Sequence, residues 1–183
     1  MSPIYLIRHG KTRANEQHLY CGSTDLPLSP VGEEGLKQLR YCLPPARFLT
    51  SGMVRTEQTL SLLFGDIPHG QAPEFREIDF GRFEMQSYEQ LKDDPEYLAW
   101  ITGDNHRNVP PGGESGEQME ARVLSAFRRL EAKNLPTVLV THGGVIACIM
   151  GQLFPAENKN RYQWQPEPGH GYAIRDGKYE RIP

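Results

Sequence analysis

Two short apolar runs in this chain end the same way. Leu6-Ile7-Arg8-His9-Gly10 stands near the start, and Leu139-Val140-Thr141-His142-Gly143-Gly144 lies far downstream. Each reads as a short buried strand that stops at a histidine followed by glycine. Strands of this kind, alternating with helical patterns, belong to parallel sheets covered on both faces. The chain therefore reads as an α/β fold, with three αβα layers around a mostly parallel central sheet. In open sheets of that type ligands collect at the carboxyl ends of the strands, where both histidines stand. The glycines let backbone N–H groups approach an anion closely, and a helix starting after Gly144 adds positive potential there.

The remaining elements fit that frame. Residues 3–8 form the first strand. Ser29-Pro30 opens a helix in which Leu36, Leu39 and Leu43 keep helical spacing, and Pro44-Pro45 stops it. Phe48-Leu49-Thr50 is a strand, and a helix over 54–64 ends at Gly65. Residues 72–75 predict a further strand. Ser87 with Gln90 and Ser115 with Gln118 are capping boxes, the second opening a helix to about Asn134. Pro95 opens a short helix through Trp100. A strand over 136–141 precedes a helix from Gly143-Gly144 to about Phe154. Residues 172–175 and 178–182 flank Asp176-Gly177, a hairpin signal. The segment 66–113 is too long for a plain connector, and segments of that length tend to carry function.

Composition narrows the function class. The 183 residues make one domain, 1–183, in which 66–113 is the variable, substrate-facing part. Hydrophobic residues at 38% and charged residues at 23% supply a core and exclude a disordered chain. A net charge of −3 argues against a nucleic-acid partner. No apolar run approaches the roughly 18 residues of a membrane helix, and the start has no basic and apolar leader. Cys21, Cys42 and Cys148 are odd in number and unrelated in spacing, which suits neither a disulfide framework nor a zinc site. The expectation is a reduced, cytoplasmic protein with neither membrane nor nucleic-acid partner. Monomer and dimer both remain open.

At the strand ends the residues become recognisable. Arg8-His9-Gly10-Lys11-Thr12-Arg13-Ala14-Asn15 resembles the RHGxTxxN signature of the histidine phosphatase superfamily, also called phosphoglycerate mutase-like. Residues 22–32, GSTDLPLSPVG, are similar to its GxxDxPLTxxG segment. Ser51-Gly52-Met53-Val54-Arg55-Thr56 resembles its second-arginine motif, and Arg76-Glu77-Ile78-Asp79-Phe80-Gly81 its acid-bearing segment. Gly112-Gly113-Glu114-Ser115 and Thr141-His142-Gly143-Gly144 follow in family order, so the resemblance covers nearly the whole chain. Two positions depart from it. Lys11 stands where an acidic or neutral residue is common, and Met85 replaces the glycine of the usual aromatic-Glu-Gly.

The resemblance implies a role for each matching residue. His9 would be the nucleophile that forms a phosphohistidine. Arg8, Arg55 and His142 would surround the phosphoryl group, and Glu77 would donate a proton to the leaving oxygen. Asn15 and Gly143 would line the phosphate site, with Gly22 and Thr24 contributing more weakly. The chemistry suits these types. Phosphoryl transfer needs positioning and charge stabilisation, and the planar fork of arginine binds two oxygens at once. The same cations disfavour protonation of a nucleophilic histidine. No cofactor and no metal is implied, because His9 and His142 lack a ligand set at metal spacing.

Outside the motifs the readings are plainer. Glu84 reads as a structural hydrogen-bonding acid and Lys11 as a solvated lysine. His18, His69, His106 and His170 read as exposed or loop residues. Phe80, Phe83, Tyr88, Tyr97 and Trp100 divide between core packing and a pocket for a planar leaving group. A chain this short has little length for the lid a mutase needs, so hydrolysis is favoured. Met85, the Tyr97-Leu98-Ala99-Trp100 segment and the short length resemble the α-ribazole phosphatases of cobalamin synthesis. The expectation is a phosphomonoester hydrolase acting on a small-molecule ester, α-ribazole 5′-phosphate. A broad-specificity or sugar-phosphate phosphatase is the alternative. A phosphoglycerate mutase or an inactive phosphate-binding module is less favoured.

Overall fold

The computed structural model describes residues 1–104 and 106–183. Six strands form one sheet: β1 (Ile4–Arg8), β2 (Arg47–Thr50), β3 (His69–Gln71), β4 (Thr137–Thr141), β5 (Gly171–Arg175) and β6 (Lys178–Ile182). Their order across the sheet is β3-β2-β4-β1-β5-β6. The first four in that order run parallel, while β5 and β6 form an antiparallel extension on β1. The α-helices among the described residues are α1 (Arg13–Glu16), α2 (Pro30–Lys37), α3 (Val54–Phe64), α4 (Tyr88–Leu91), α5 (Pro95–Ile101), α6 (Gly116–Ala132), α7 (Gly143–Leu153) and α8 (Arg161–Trp164).

Strand alternation builds the three layers. Ile4 and Leu6 of β1, Leu139 of β4, and Tyr172 and Ile174 of β5 face one side. There they pack against α6, α7 and Trp164 of α8. Tyr5, Ile7, Val138, Val140 and Ala173 face the other side and pack against Leu60, Leu63 and Phe64 of α3. Burying each such side chain contributes about 1.5–3 kcal/mol, so a register slip of one residue would forfeit both faces. α6 shows how local sequence sets an element. Ser115 and Gln118 exchange the two bonds of the capping box, and Met119, Val123, Ala126, Phe127 and Leu130 repeat along the buried face. Asp176 and Gly177 turn the β5–β6 hairpin with φ of 50° and 71°, the signs of a type I′ turn.

Two expectations need correction. The helix behind Ser29 ends at Lys37, so Leu39 and Leu43 lie outside it. Gly32 and Gly35 weaken that helix, Arg40 donates back to the carbonyls of Lys37 and Leu39, and Leu43 turns into the α3-side core. Residues 73–75 form a 3-10 turn rather than a strand, and the strand lies earlier, at β3. Pro73 has no N–H to give to a ladder. His69 is exposed, as its sequence context predicts. It starts β3, with its ring bonded to the Ile67 carbonyl (3.0 Å) and the Glu57 carboxylate (2.6 Å).

The segment 66–113 builds a core of its own. Phe83, Leu91 and Tyr97 are fully buried there, packed with Tyr20, Phe80, Trp100 and Ile101. The Tyr20 and Tyr97 hydroxyls meet at 2.6 Å. This cluster forms an aromatic cap beside the carboxyl ends of the sheet. No helix among the described residues is long and apolar enough to cross a membrane.

Candidate active site

Register brings the two histidines together. Arg8 pairs with Thr141 at the ends of β1 and β4, and His9 N–H donates to the Thr141 carbonyl at 2.9 Å. The rings of His9 and His142 then stand edge to face, 5.1 Å between centroids. His9 Nδ1–H donates to the Gly10 carbonyl at 2.7 Å, which leaves the Nε2 lone pair unprotonated. His142 Nε2–H donates to Ser51 Oγ at 2.8 Å, and its Nδ1 accepts from Arg55 Nε at 3.3 Å. Burial holds the pKa of His9 well below its ordinary value of 6.5, and the Arg55 and Arg8 cations push it the same way. His142 is held well below 6.5 by burial first and then by Arg55. Both rings are therefore neutral at pH 7.

Each arginine is aimed by fixed acceptors. Arg55 rises from the first turn of α3 and is 1% exposed. It donates to the carbonyls of Thr24 (2.9 Å) and Gly22 (2.8 Å) as well as to His142. Arg8 Nη1 donates to the Pro166 carbonyl at 2.8 Å, whereas its buried Nε has no hydrogen-bond partner among the described residues. A buried guanidinium N–H without an acceptor is costly, and a bound anion would supply one. Burial lowers the pKa of both guanidinium groups, an effect that Glu77 opposes.

Two carboxylates complete the site and differ in kind. Glu77 accepts from Gly144 N at 2.9 Å, at the start of α7, and from Ile78 N at 3.1 Å. A Cβ on Gly144 would lie 2.3 Å from Glu77 Oε1, and one on Gly143 would lie 3.2 Å from the Arg8 guanidinium carbon. The paired glycines thus let Glu77 and Arg8 close on the helix terminus. Glu84 is saturated instead. It accepts from the N–H groups of Gly22, Ser23, Thr24 and Phe80 and from Thr24 Oγ1. That nest shapes the loop whose carbonyls aim Arg55.

A cavity of about 710 Å3 opens in front of these groups. Arg8, His9, Asn15, Glu77 and Gly143 line it, as do Tyr20, Phe80 and Trp100 of the cap. Arg55 and His142 are buried and do not line it. Gly22 and Thr24, predicted at the phosphate, are turned to Arg55 and Glu84 instead and do not line the cavity. The Asn15 side-chain oxygen caps α1 through Thr12, leaving its amide N–H groups as donors. Lys11 is exposed and stands off the cavity. Cys21 and Cys148 do line it, and burial raises both thiols, Cys148 to about 12, so neither is a thiolate at pH 7. Among the described residues no group of three or more His, Cys, Asp or Glu side chains could hold a metal ion.

Sequence reasoning missed four participants. Ser51 fixes the His142 ring, and the signal was present: it follows the carboxyl end of β2 as His9 follows β1 and His142 follows β4. Thr59 Oγ1 accepts the Gly10 N–H at 2.9 Å and steadies the loop after His9. His106, read as loop, lines the cavity and faces Glu120 at 3.3 Å. Gln165 also lines it, from a stretch without any motif.

Known proteins resemble this chain over most of its length. The pattern of the histidine phosphatase superfamily (branch 1) matches residues 4–176. The chain is 32% identical over 182 residues to an adenosylcobalamin/alpha-ribazole phosphatase of Salmonella typhimurium, covering 93% of this chain and 89% of that one. The structure is similar to an alpha-ribazole phosphatase from Shigella flexneri, with a TM-score of 0.83, 29% identity and coverage of 97% and 93%. It is also similar to a phosphoglycerate mutase from Thermus thermophilus, with a TM-score of 0.76, 32% identity and coverage of 99% and 98%.

Proposed function

This chain belongs to branch 1 of the histidine phosphatase superfamily and is a phosphatase, and from that premise we infer that His9 is its nucleophile. The observation that carries this reading is the state of His9: neutral, bonded through Nδ1–H to Gly10, and buried beside two guanidinium groups. Arg8, on the cavity wall, holds the phosphoryl oxygens, and the buried Arg55 adds its positive charge beside His9. At about 4 Å and an effective dielectric near 20, each charge pair is worth about 4 kcal/mol, enough to seat a dianion without a metal. His9 Nε2 attacks phosphorus as the bond to the leaving oxygen breaks, and Glu77 gives that oxygen its proton. Water then attacks the phosphohistidine. Glu77 takes the proton from water, the P–N bond breaks, and inorganic phosphate leaves a neutral His9. His142, with Nε2–H on Ser51 and Nδ1 on Arg55, acts on the phosphoryl group through Arg55. Asn15 and the Gly143 backbone donate to its oxygens, while Gly22 and Thr24 act through Arg55.

The substrate we propose is α-ribazole 5′-phosphate. Relatives with that printed activity align over nearly their whole length, and Tyr20, Phe80 and Trp100 give a planar base an aromatic wall. A cytoplasmic setting fits the three free cysteines. The test is kcat/KM for phosphate release, in EDTA, from α-ribazole 5′-phosphate and from p-nitrophenyl phosphate. A preference above about 100-fold, roughly 2.7 kcal/mol of transition-state discrimination, supports the assignment. Equal values would leave a broad-specificity phosphatase and remove the ribazole reading.

A further inference from the structure

The Gly112-Gly113-Glu114-Ser115 motif has no part in the cavity, yet it sits against the segment that carries Glu77. Glu114 N–H donates to the Asp79 carbonyl at 2.9 Å. Gly113 packs so closely that a Cβ there would lie 2.5 Å from the same oxygen. The Glu114 carboxylate reaches across to Arg122, on the second turn of α6, and grips it at both ends. Arg122 Nε donates to Oε1 and Nη2 to Oε2, each at 2.7 Å.

Arg122 spends its other donors on backbone. Nη1 donates to the carbonyls of Glu74 (2.7 Å) and Arg76 (2.8 Å), and Nη2 to that of Glu77 (3.2 Å). All five guanidinium N–H groups are therefore placed. Three carbonyls within four residues converge on one side chain, and the last belongs to Glu77. The segment has no regular secondary structure from Arg76 to Phe80, so strand or helix bonds do not fix it. A carboxyl group that must meet a leaving oxygen tolerates little displacement, because proton transfer needs hydrogen-bond distance.

We propose that Arg122, oriented by Glu114, is the positioning residue for Glu77. It touches neither substrate nor phosphorus. It holds the main chain from which the proton donor projects, and its role rests on the reading of Glu77 given above. Lysine is no substitute, since a point charge cannot grip Glu114 at both ends and reach three carbonyls.

The test uses the full chain and a series of substituted phenyl phosphates, from p-nitrophenyl phosphate to phenyl phosphate. The p-nitrophenolate ion leaves without a proton and phenolate does not. Glu77→Gln is expected to lower kcat/KM on phenyl phosphate at least about 100-fold and to spare p-nitrophenyl phosphate, steepening the dependence on leaving group. Arg122→Met is expected to steepen it in the same direction, with kcat/KM falling about 30-fold on phenyl phosphate against under about 3-fold on p-nitrophenyl phosphate. The double variant is expected to be no worse than Glu77→Gln alone. Where Arg122→Met does not fold, Glu114→Gln keeps the shape and loses the charge, and it reads the same dependence with a smaller effect. Uniform loss across the series, no loss, or an additive double variant would overturn the positioning role while leaving Glu77 as the acid. A Glu77→Gln variant with an unchanged dependence would instead overturn the acid, and the positioning role with it.

Discussion

The strand ends and the aromatic cap meet at one cavity but are built by opposite means. At the strand ends, buried polar groups are fixed by directional bonds, His9 to Gly10, His142 to Ser51 and Arg55, Arg55 to the 22–24 loop, with Arg8 Nε left open. The cap relies on ring packing, with Trp100 within 5.5–6.0 Å of Tyr20, Phe80, Phe83 and Tyr97. Hydrogen bonds are directional and leave little latitude, so the first region can hold reacting atoms in place. Ring contacts are broad and tolerant, so the second can change its choice of leaving group without disturbing the first. The two regions meet in the irregular stretch 76–80, which carries both Glu77 and Phe80.

His9→Ala breaks the comparison most sharply. Turnover is expected to fall at least about 10⁴-fold, while circular dichroism and Tm stay near those of the parent. Residual activity within about 10-fold of the parent would place the nucleophile elsewhere.

Acid is expected to weaken the strand-end region. His9 and His142 titrate well below 6.5 when folded and near 6.5 when unfolded. Below that pH the unfolded chain binds protons the native site refuses, so the stability they contribute is full above pH 6.5 and lost as pH falls. Each histidine costs about 1.4 kcal/mol per pH unit in that window. His69, raised by its bond to the Ile67 carbonyl and by Glu57, acts with the opposite sign and offsets part of this. Urea midpoints should drop between pH 7 and 5, and a flat profile would contradict the buried neutral pair.

The cap is expected to respond differently. Trp100→Ala should raise KM for α-ribazole 5′-phosphate about 10-fold, by loss of ring contact, and leave ethyl phosphate unchanged. An equal effect on both esters would mean that the cap supports the phosphate end. The smallest effect concerns Met85, which holds φ of 60° where the related pattern has glycine. Met85→Gly should raise stability by up to about 1 kcal/mol in urea melts, because glycine bears that backbone without strain. A loss would show that the methionine side chain holds the cap together.

How much of this was legible follows the same division. The two histidines were visible because a buried strand ending in His-Gly leaves a mark in a few consecutive residues. The α3 and α6 boundaries were visible because Gly65, Ser115 and Gln118 cap them locally. The extent of α2 was not, since Leu39 and Leu43 mimic helical spacing while packing by other routes. Gly22 and Thr24 were placed at the phosphate by motif alone, and only the fold shows their carbonyls and hydroxyl turned to Arg55 and Glu84. Arg122 left no mark, because the three carbonyls it holds lie 45–48 residues away in sequence. Local signals reach the chemistry of a strand end; long-range contacts that aim it need the folded chain.

The most direct test is to catch the enzyme mid-turnover. The protein is mixed with p-nitrophenyl phosphate radiolabelled at phosphorus, quenched in alkali within the first turnover, and digested to peptides. The account predicts a protein-bound label that is stable in alkali, labile in acid, confined to the peptide containing His9, and missing from His9→Ala. Full turnover with no bound label, or a label on another residue, would contradict it.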